Sequence, residues 1–347
     1  FNNFFMSKTI DRILANKILL LILTIGFLLR CAFLIWGAKI YYGSSTFYIG
    51  ADTAEWIRSF LNLWHNGTYT IDMNVPRGAF FRPPGYSFFM GIIYLITGQN
   101  LVRMFHAIIW IQVVLDSISI YLIYTISKNS FSNNRIGLIA AFLYAFYPFA
   151  MVWTAIAYAE CFSVFLLLLS LAALVSLKNK YRFVISGVIL GIAILTRLQV
   201  ALALPIFALA IFLQAKPTFK LMLKYSFIFS LSALLVYSVW PIRNYLSFHR
   251  VMLTQDLSGS PWYADDIMKY REYIYSIKTD WEPQFSQICE GHFPVDMPAD
   301  AYVVKGDSEK VQQVFQLCHS NGLGFSGFEA TSHLRKGLLP EDSIKNT

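Results

Sequence analysis

The chain has 347 residues, of which 56% are hydrophobic, 17% aromatic and only 14% charged, where a soluble domain carries about 25% charged residues. This balance excludes an ordinary soluble enzyme and implies a polytopic membrane protein. The net charge of +8 would suggest a nucleic-acid partner in a soluble chain, but most Lys and Arg stand at the ends of apolar runs, so no nucleic acid is expected and the pattern is positive-inside.

Met6-Ser7-Lys8 reads as a natural start, and the first span is expected at about 17–36, with Lys8, Arg12 and Lys17 on its near side. Such a run is long enough to cross about 30 Å of hydrocarbon, and its basic flank puts the N-terminus in the cytoplasm. No small-residue cleavage site follows, so the span reads as a retained anchor with the next segment outside. Arg30 lies within it and is costly at that depth. It either snorkels outward or meets a partner in the bundle.

The stretch 48–98 carries the first chemistry. Asp52 and Glu55 open a segment in which Trp56, Phe60, Leu63 and Trp64 recur at helical spacing, which predicts an amphipathic helix lying on the membrane. Asn66-Gly67 should end it, and a turn at Arg82-Pro83-Pro84-Gly85 brings a cation back beside the next apolar segment. An acid and a base then flank one platform, unless the loop is simply solvated.

Further spans are expected at about 102–126, 135–153, 160–177, 183–196, 199–214 and 221–241, seven in all. The apolar run 86–97 is short of the roughly 17 residues needed to cross. Read as an interfacial or re-entrant helix, it leaves Lys128, Arg135, Lys178, Lys180, Arg182, Lys216, Lys220 and Lys224 on the cytoplasmic side. The apolar run from 183 to 213 is too short for two full spans of about 20 residues each, so it reads as a hairpin whose tip, with Arg197, stops below the outer surface. A charged tip at that depth suits a cavity, and a structural contact is the competing reading. Gly187 and Gly191, spaced as GxxxG, should let the hairpin pack closely on a neighbour. Glu160 opens the following span at its outer end, where the helix dipole alone would favour an acid. Asp52, Arg82, Glu160 and Arg197 are thus expected on one face.

The segments GADTAEWIRSFLNLWHNGTYT, RPPGYSFFMGIIYLITG, FYPFAMVWTAIAYAE, GIAILTRLQ and VWPIRNYLSF occur in an order that resembles the polytopic GT-C-fold glycosyltransferases, in the group of protein O-mannosyltransferases and lipid A aminoarabinose transferases. The resemblance covers about 17–248. It implies an acid in the first external loop essential to transfer, which matches Asp52, and a polyprenyl-phosphate sugar as donor. Many relatives place a second acid directly after the first, where this chain has Thr53, so a paired-carboxylate metal site is not carried over. The resemblance fixes no cofactor, and a divalent metal stays open.

Transfer from such a donor needs a base near an acceptor hydroxyl and cations for the leaving phosphate. Asp52 is the candidate base. Arg82 and Arg197 are candidate phosphate ligands, with Arg103 and Arg243 behind them, because guanidinium matches phosphate bidentately. Glu160 would orient the acceptor or hold an arginine, Asp116 reads as a bundle contact, and Glu55→Gln is expected to cost far less than Asp52→Asn.

The expected architecture is an all-α polytopic membrane protein: a GT-C-type module over 6–241, its external loop 39–101 carrying interfacial helices, and an extracytoplasmic region over 242–347. Family members usually carry further spans after this point, so the chain reads as a piece of one or a short relative. Cys289 and Cys318 form a disulfide there or remain thiols. His249, His292, His319 and His333 lack metal-ligand spacing. The expected function is transfer of a sugar to a glycan, lipid or protein acceptor at the outer face of the cell membrane. The alternative is a transporter or lipid-linked sugar flippase, although no repeated halves are visible.

Overall fold

A computed structural model describes residues 2–43, 49, 52–73, 76–213, 218–256, 284, 287, 291–297, 302 and 305–320. Among them there is no strand. The long apolar runs make helices because a chain in hydrocarbon must satisfy its own N–H and C=O groups, and an isolated apolar segment can do so only as a helix. Four helical stretches, Leu14–Tyr42, Leu101–Phe131, Ala159–Ser176 and Phe219–Phe248, are long and apolar enough to cross a membrane. A fifth arises if Asn134–Ala145 and Pro148–Ala155, which meet at 53°, count as one bent span. The chain is an all-α polytopic membrane protein. The expected runs are largely helical among the described residues, with 135–153 broken at Phe146–Tyr147, but only four or five of the seven reach spanning length: Arg182–Thr196 and Leu198–Phe212 fall among the shorter apolar helices together with Pro84–Ile96.

The chain divides into two compact units, one of Phe1–Leu61 with Arg82–Thr254 and one of Asn62–Phe81 with Gln255–Thr347. In the first, helix α1 (Asn2–Ala32) runs through a π-helical turn at Phe33–Gly37 into α2 (Ala38–Tyr42). Then come α3 (Thr53–Asn66), α4 (Pro84–Ile96), α5 (Leu101–Phe131), α6 (Asn134–Ala145), α7 (Pro148–Val152) and α8 (Ala159–Ser176). The run expected as a hairpin forms α9 (Arg182–Thr196) and α10 (Ala203–Leu213), which both pack on α11 (Phe219–Tyr237), and the series ends with α12 (Val239–Phe248). In the second unit, Gly78 and Ile71 join Thr70 and Asp72 in a tight turn, and a separate helix covers Asp307–Ser320. Cys289 and the stretch 257–283 lie outside the described residues, as does the Cys318 side chain.

Local chemistry sets the helix ends. Gly67, at φ +73°, follows the last residue of α3, a left-handed conformation open to glycine at no steric cost. Pro84 opens α4, where its missing N–H costs nothing and its ring presets φ. The Asn100 and Asn133 side chains cap α5 and α6.

Packing follows small residues and sequestered polar groups. Helix α9 lies against α8 and α11. A Cβ added to Gly191 would sit 2.6 Å from the Ala233 carbonyl oxygen, and one on Gly187 would strike that of Phe229, so the GxxxG pair serves close packing on α11. Ser170 and Ser186 exchange bonds between α8 and α9 at 2.8 to 3.0 Å.

Of the two readings for Arg30, the partner in the bundle holds. Its side chain is fully buried and reaches Asp116 of α5 at 2.5 Å, the Gly26 carbonyl at 2.9 Å and the Ala145 carbonyl at the end of α6 at 3.2 Å. Tyr144 donates to the other Asp116 oxygen at 2.6 Å. One cation thereby joins α1, α5 and α6 and satisfies carbonyls at the break ahead of Pro148, and Asp116 is the bundle contact that was expected.

Candidate active site

Helix α3 presents Trp56, Ile57 and Phe60 to a core shared with Tyr86 and Met90 of α4 and Met104 and Ile108 of α5. Trp64, expected on the same stripe, is exposed. This packing fixes the first turn of α3 beside the start of α4. Arg82 stacks on the Trp56 ring at 4.7 Å, and its guanidinium pairs closely with Glu55 of that first turn and with Asp52, just ahead of it, at 3.1 Å. The Arg82 and Glu55 side chains are 12 and 14% exposed and that of Asp52 is 52% exposed. Glu55 is therefore the anchor of Arg82, and Asp52 is the carboxylate left open to an incoming group.

Two further contacts hold Asp52 from the other side. The Thr53 hydroxyl donates to the Ala157 carbonyl at 3.3 Å, and the Asp52 backbone N–H donates to the Tyr158 hydroxyl at 3.3 Å. Tyr158 precedes α8 and stacks on Trp153. Burial pushes its phenol above the ordinary value; the Asp52 N–H and Arg82 act against this, and the Asp52 and Glu160 charges act with it. Tyr158 thus stays protonated and keeps an O–H to offer while its oxygen receives the Asp52 N–H.

Glu160, in the first turn of α8, pairs with Arg197. Arg197 is the extended residue between α9 and the 3-10 turn Leu198–Leu202. This junction is close to the Arg82 turn: a Cβ on Gly85 would lie 2.5 Å from the Thr196 nitrogen and 2.7 Å from the Leu195 oxygen. Only a residue without a side chain admits this approach. Two arginines and three carboxylates therefore collect at one end of the first unit.

Of the six residues expected at the site, the structure brings together Asp52, Arg82, Glu160 and Arg197. Arg103 stands exposed in the first turn of α5. Arg243 lies on α12, bonded to Asn244 and set over the Trp240 and Phe248 rings. Sequence reasoning missed Glu55 and Tyr158 as members. Glu55 sits three residues after Asp52, and that helical spacing was the available signal. Glu55 is the more sequestered partner of Arg82, so Glu55→Gln acts through the anchor of that guanidinium, with a cost still expected below that of Asp52→Asn. Among the described residues no three His, Cys, Asp or Glu side chains gather as metal ligands, and Asp52 and Glu55 both serve the Arg82 guanidinium.

Residues 81–242 match the family model described as dolichyl-phosphate-mannose-protein mannosyltransferase. No curated protein and no solved structure matches the chain. The matched segment contains Arg82, Glu160 and Arg197, while Asp52 and Glu55 precede it. This match over 81–242, together with helices long and apolar enough to span a membrane, supports a membrane glycosyltransferase of GT-C type.

Proposed function

We propose that the chain moves a sugar from a polyprenyl-phosphate-linked donor to an acceptor hydroxyl at the extracytoplasmic face of the cell membrane. The observation that carries this reading is the pairing of Arg82 with a half-exposed Asp52 beside the Glu160–Arg197 pair. Two guanidiniums and an accessible carboxylate are what a phosphate leaving group and a hydroxyl nucleophile require.

In the reaction, Asp52 takes the proton of the acceptor hydroxyl as its oxygen bonds to the anomeric carbon of the sugar. The bond from that carbon to the phosphate oxygen breaks, and the electron pair leaves with the lipid phosphate. Arg82 and Arg197 stabilise the charge on that phosphate. Arg82 reaches it without losing its place, because Glu55 and Trp56 hold the guanidinium while the exposed Asp52 contact, worth about 1 kcal/mol or less, gives way. Glu160 keeps Arg197 extended after α9 until the phosphate arrives. The acceptor class is a glycan, a lipid or a protein, and membrane lipid surrounds the donor chain. Arg103 and Arg243 stand as outer candidates for the donor phosphate.

The direct test is transfer of radiolabelled sugar in membranes carrying the full chain, supplied in turn with defined polyprenyl-phosphate sugars. Incorporation that depends on one of these donors and disappears with Asp52→Asn supports the reading. Incorporation from nucleotide sugars alone overturns the donor class.

A further inference from the structure

Gln112 lies in the middle of α5 and is fully buried. Its amide nitrogen donates to three carbonyls of one short segment: Ile156 at 2.8 Å, and Trp153 and Thr154 at 3.2 Å each. Its amide oxygen accepts the Tyr86 hydroxyl at 2.9 Å. A polar side chain inside a span is costly unless every atom is partnered, and here both ends of the amide are used.

The two sets of partners belong to the two sides of the site. Tyr86 is in the first turn of α4, four residues after Arg82 and next to Gly85. Residues 153–158 pass through a 3-10 turn into extended backbone, so the Trp153 and Thr154 carbonyls leave the helical ladder and need other donors, while that of Ile156 also accepts the Tyr158 N–H at 2.8 Å. Gln112 supplies these donors. The segment it holds ends at Ala157 and Tyr158, which bind Thr53 and Asp52. We infer that Gln112 is a positioning residue of this site, setting Asp52 against Arg82 by tying Tyr86 to the 153–158 segment; the role rests on the transfer reaction proposed above.

Gln112→Met keeps the length of the side chain and removes both polar ends. At equal amounts of folded protein in membranes, it should lower kcat on the order of 10- to 100-fold, the scale of a small misplacement of reacting groups, with the loss falling on kcat rather than on the donor KM. The distinguishing readout is coupling. If Gln112 acts through Asp52, adding Gln112→Met to Asp52→Asn should cost less than about threefold more, because residues that act as a unit are not additive. The same factor in both backgrounds, or an unchanged kcat, overturns the role. Where Gln112→Met does not reach the membrane folded, Tyr86→Phe removes only the hydroxyl that Gln112 accepts. It should lower kcat about 3- to 10-fold with the same loss of effect in Asp52→Asn, and full activity overturns the role. Full transfer by Asp52→Asn alone overturns both the reaction and this role, whereas loss in Asp52→Asn without coupling overturns the role only.

Discussion

Glu55 and Arg82 form a largely sequestered ion pair, their side chains 14 and 12% exposed, while the Asp52 carboxylate on the same guanidinium is half exposed at 3.1 Å. The two acids, one just ahead of α3 and one in its first turn, therefore have different work. Glu55→Gln keeps the shape but weakens the anchor of Arg82, and should lower kcat/KM by roughly tenfold through donor affinity. Steady-state transfer kinetics check this, and an unchanged kcat/KM would show that Arg82 needs no anchor.

Arg197 is expected to need both its charge and its planar fork. Arg197→Lys should retain part of the activity and Arg197→Ala almost none, at equal expression. Equal rates in the two variants would make Arg197 a packing residue.

The fold was legible in the sequence where an energetic rule acts locally. The end of α3 follows from Gly67, the shortness of α9 and α10 from counting residues between basic clusters, and the close packing of α9 on a neighbour from two glycines one turn apart, although which neighbour, α11, does not. Arg82 and Asp52 meet because a helix and a turn fold back over about 30 positions. Partners set by bundle packing were not legible. Arg30 finds Asp116 across 86 positions, and Gln112 looks like any polar residue in a span until its carbonyl partners are known. The division of work between Asp52 and Glu55 is not legible either, since it rests on which carboxylate Arg82 sequesters.

The buried cation gives a stability prediction. Arg30→Met strands the Asp116 carboxylate among α1, α5 and α6, a change on the scale of about 3–5 kcal/mol. Folded protein in membranes should fall sharply. Arg30→Met with Asp116→Leu should recover much of it, since removing both partners leaves no orphaned charge. Folded yield in detergent after heating reads this directly, and a double variant as poor as the single would argue against a purely structural pair.

Orientation is tested by an impermeant thiol reagent on intact cells, in a chain cleared of Cys31, Cys161, Cys289 and Cys318. Asn66→Cys, beside the positive-φ Gly67, should be labelled, and the exposed Asn179→Cys should not. Labelling at 179 would reverse the arrangement and remove the extracytoplasmic placement of the site.

The central claim is that Asp52 is the base. Asn is nearly the same size and preserves the backbone N–H that Tyr158 accepts, so Asp52→Asn should leave folding and donor binding close to unchanged. The measurement is the single-turnover transfer rate to a hydroxyl acceptor from saturating polyprenyl-phosphate sugar. A drop of about 10²-fold or more with an unaltered donor KM is the expected result, the scale of a lost general base. Transfer by Asp52→Asn at close to the unmodified rate would contradict it.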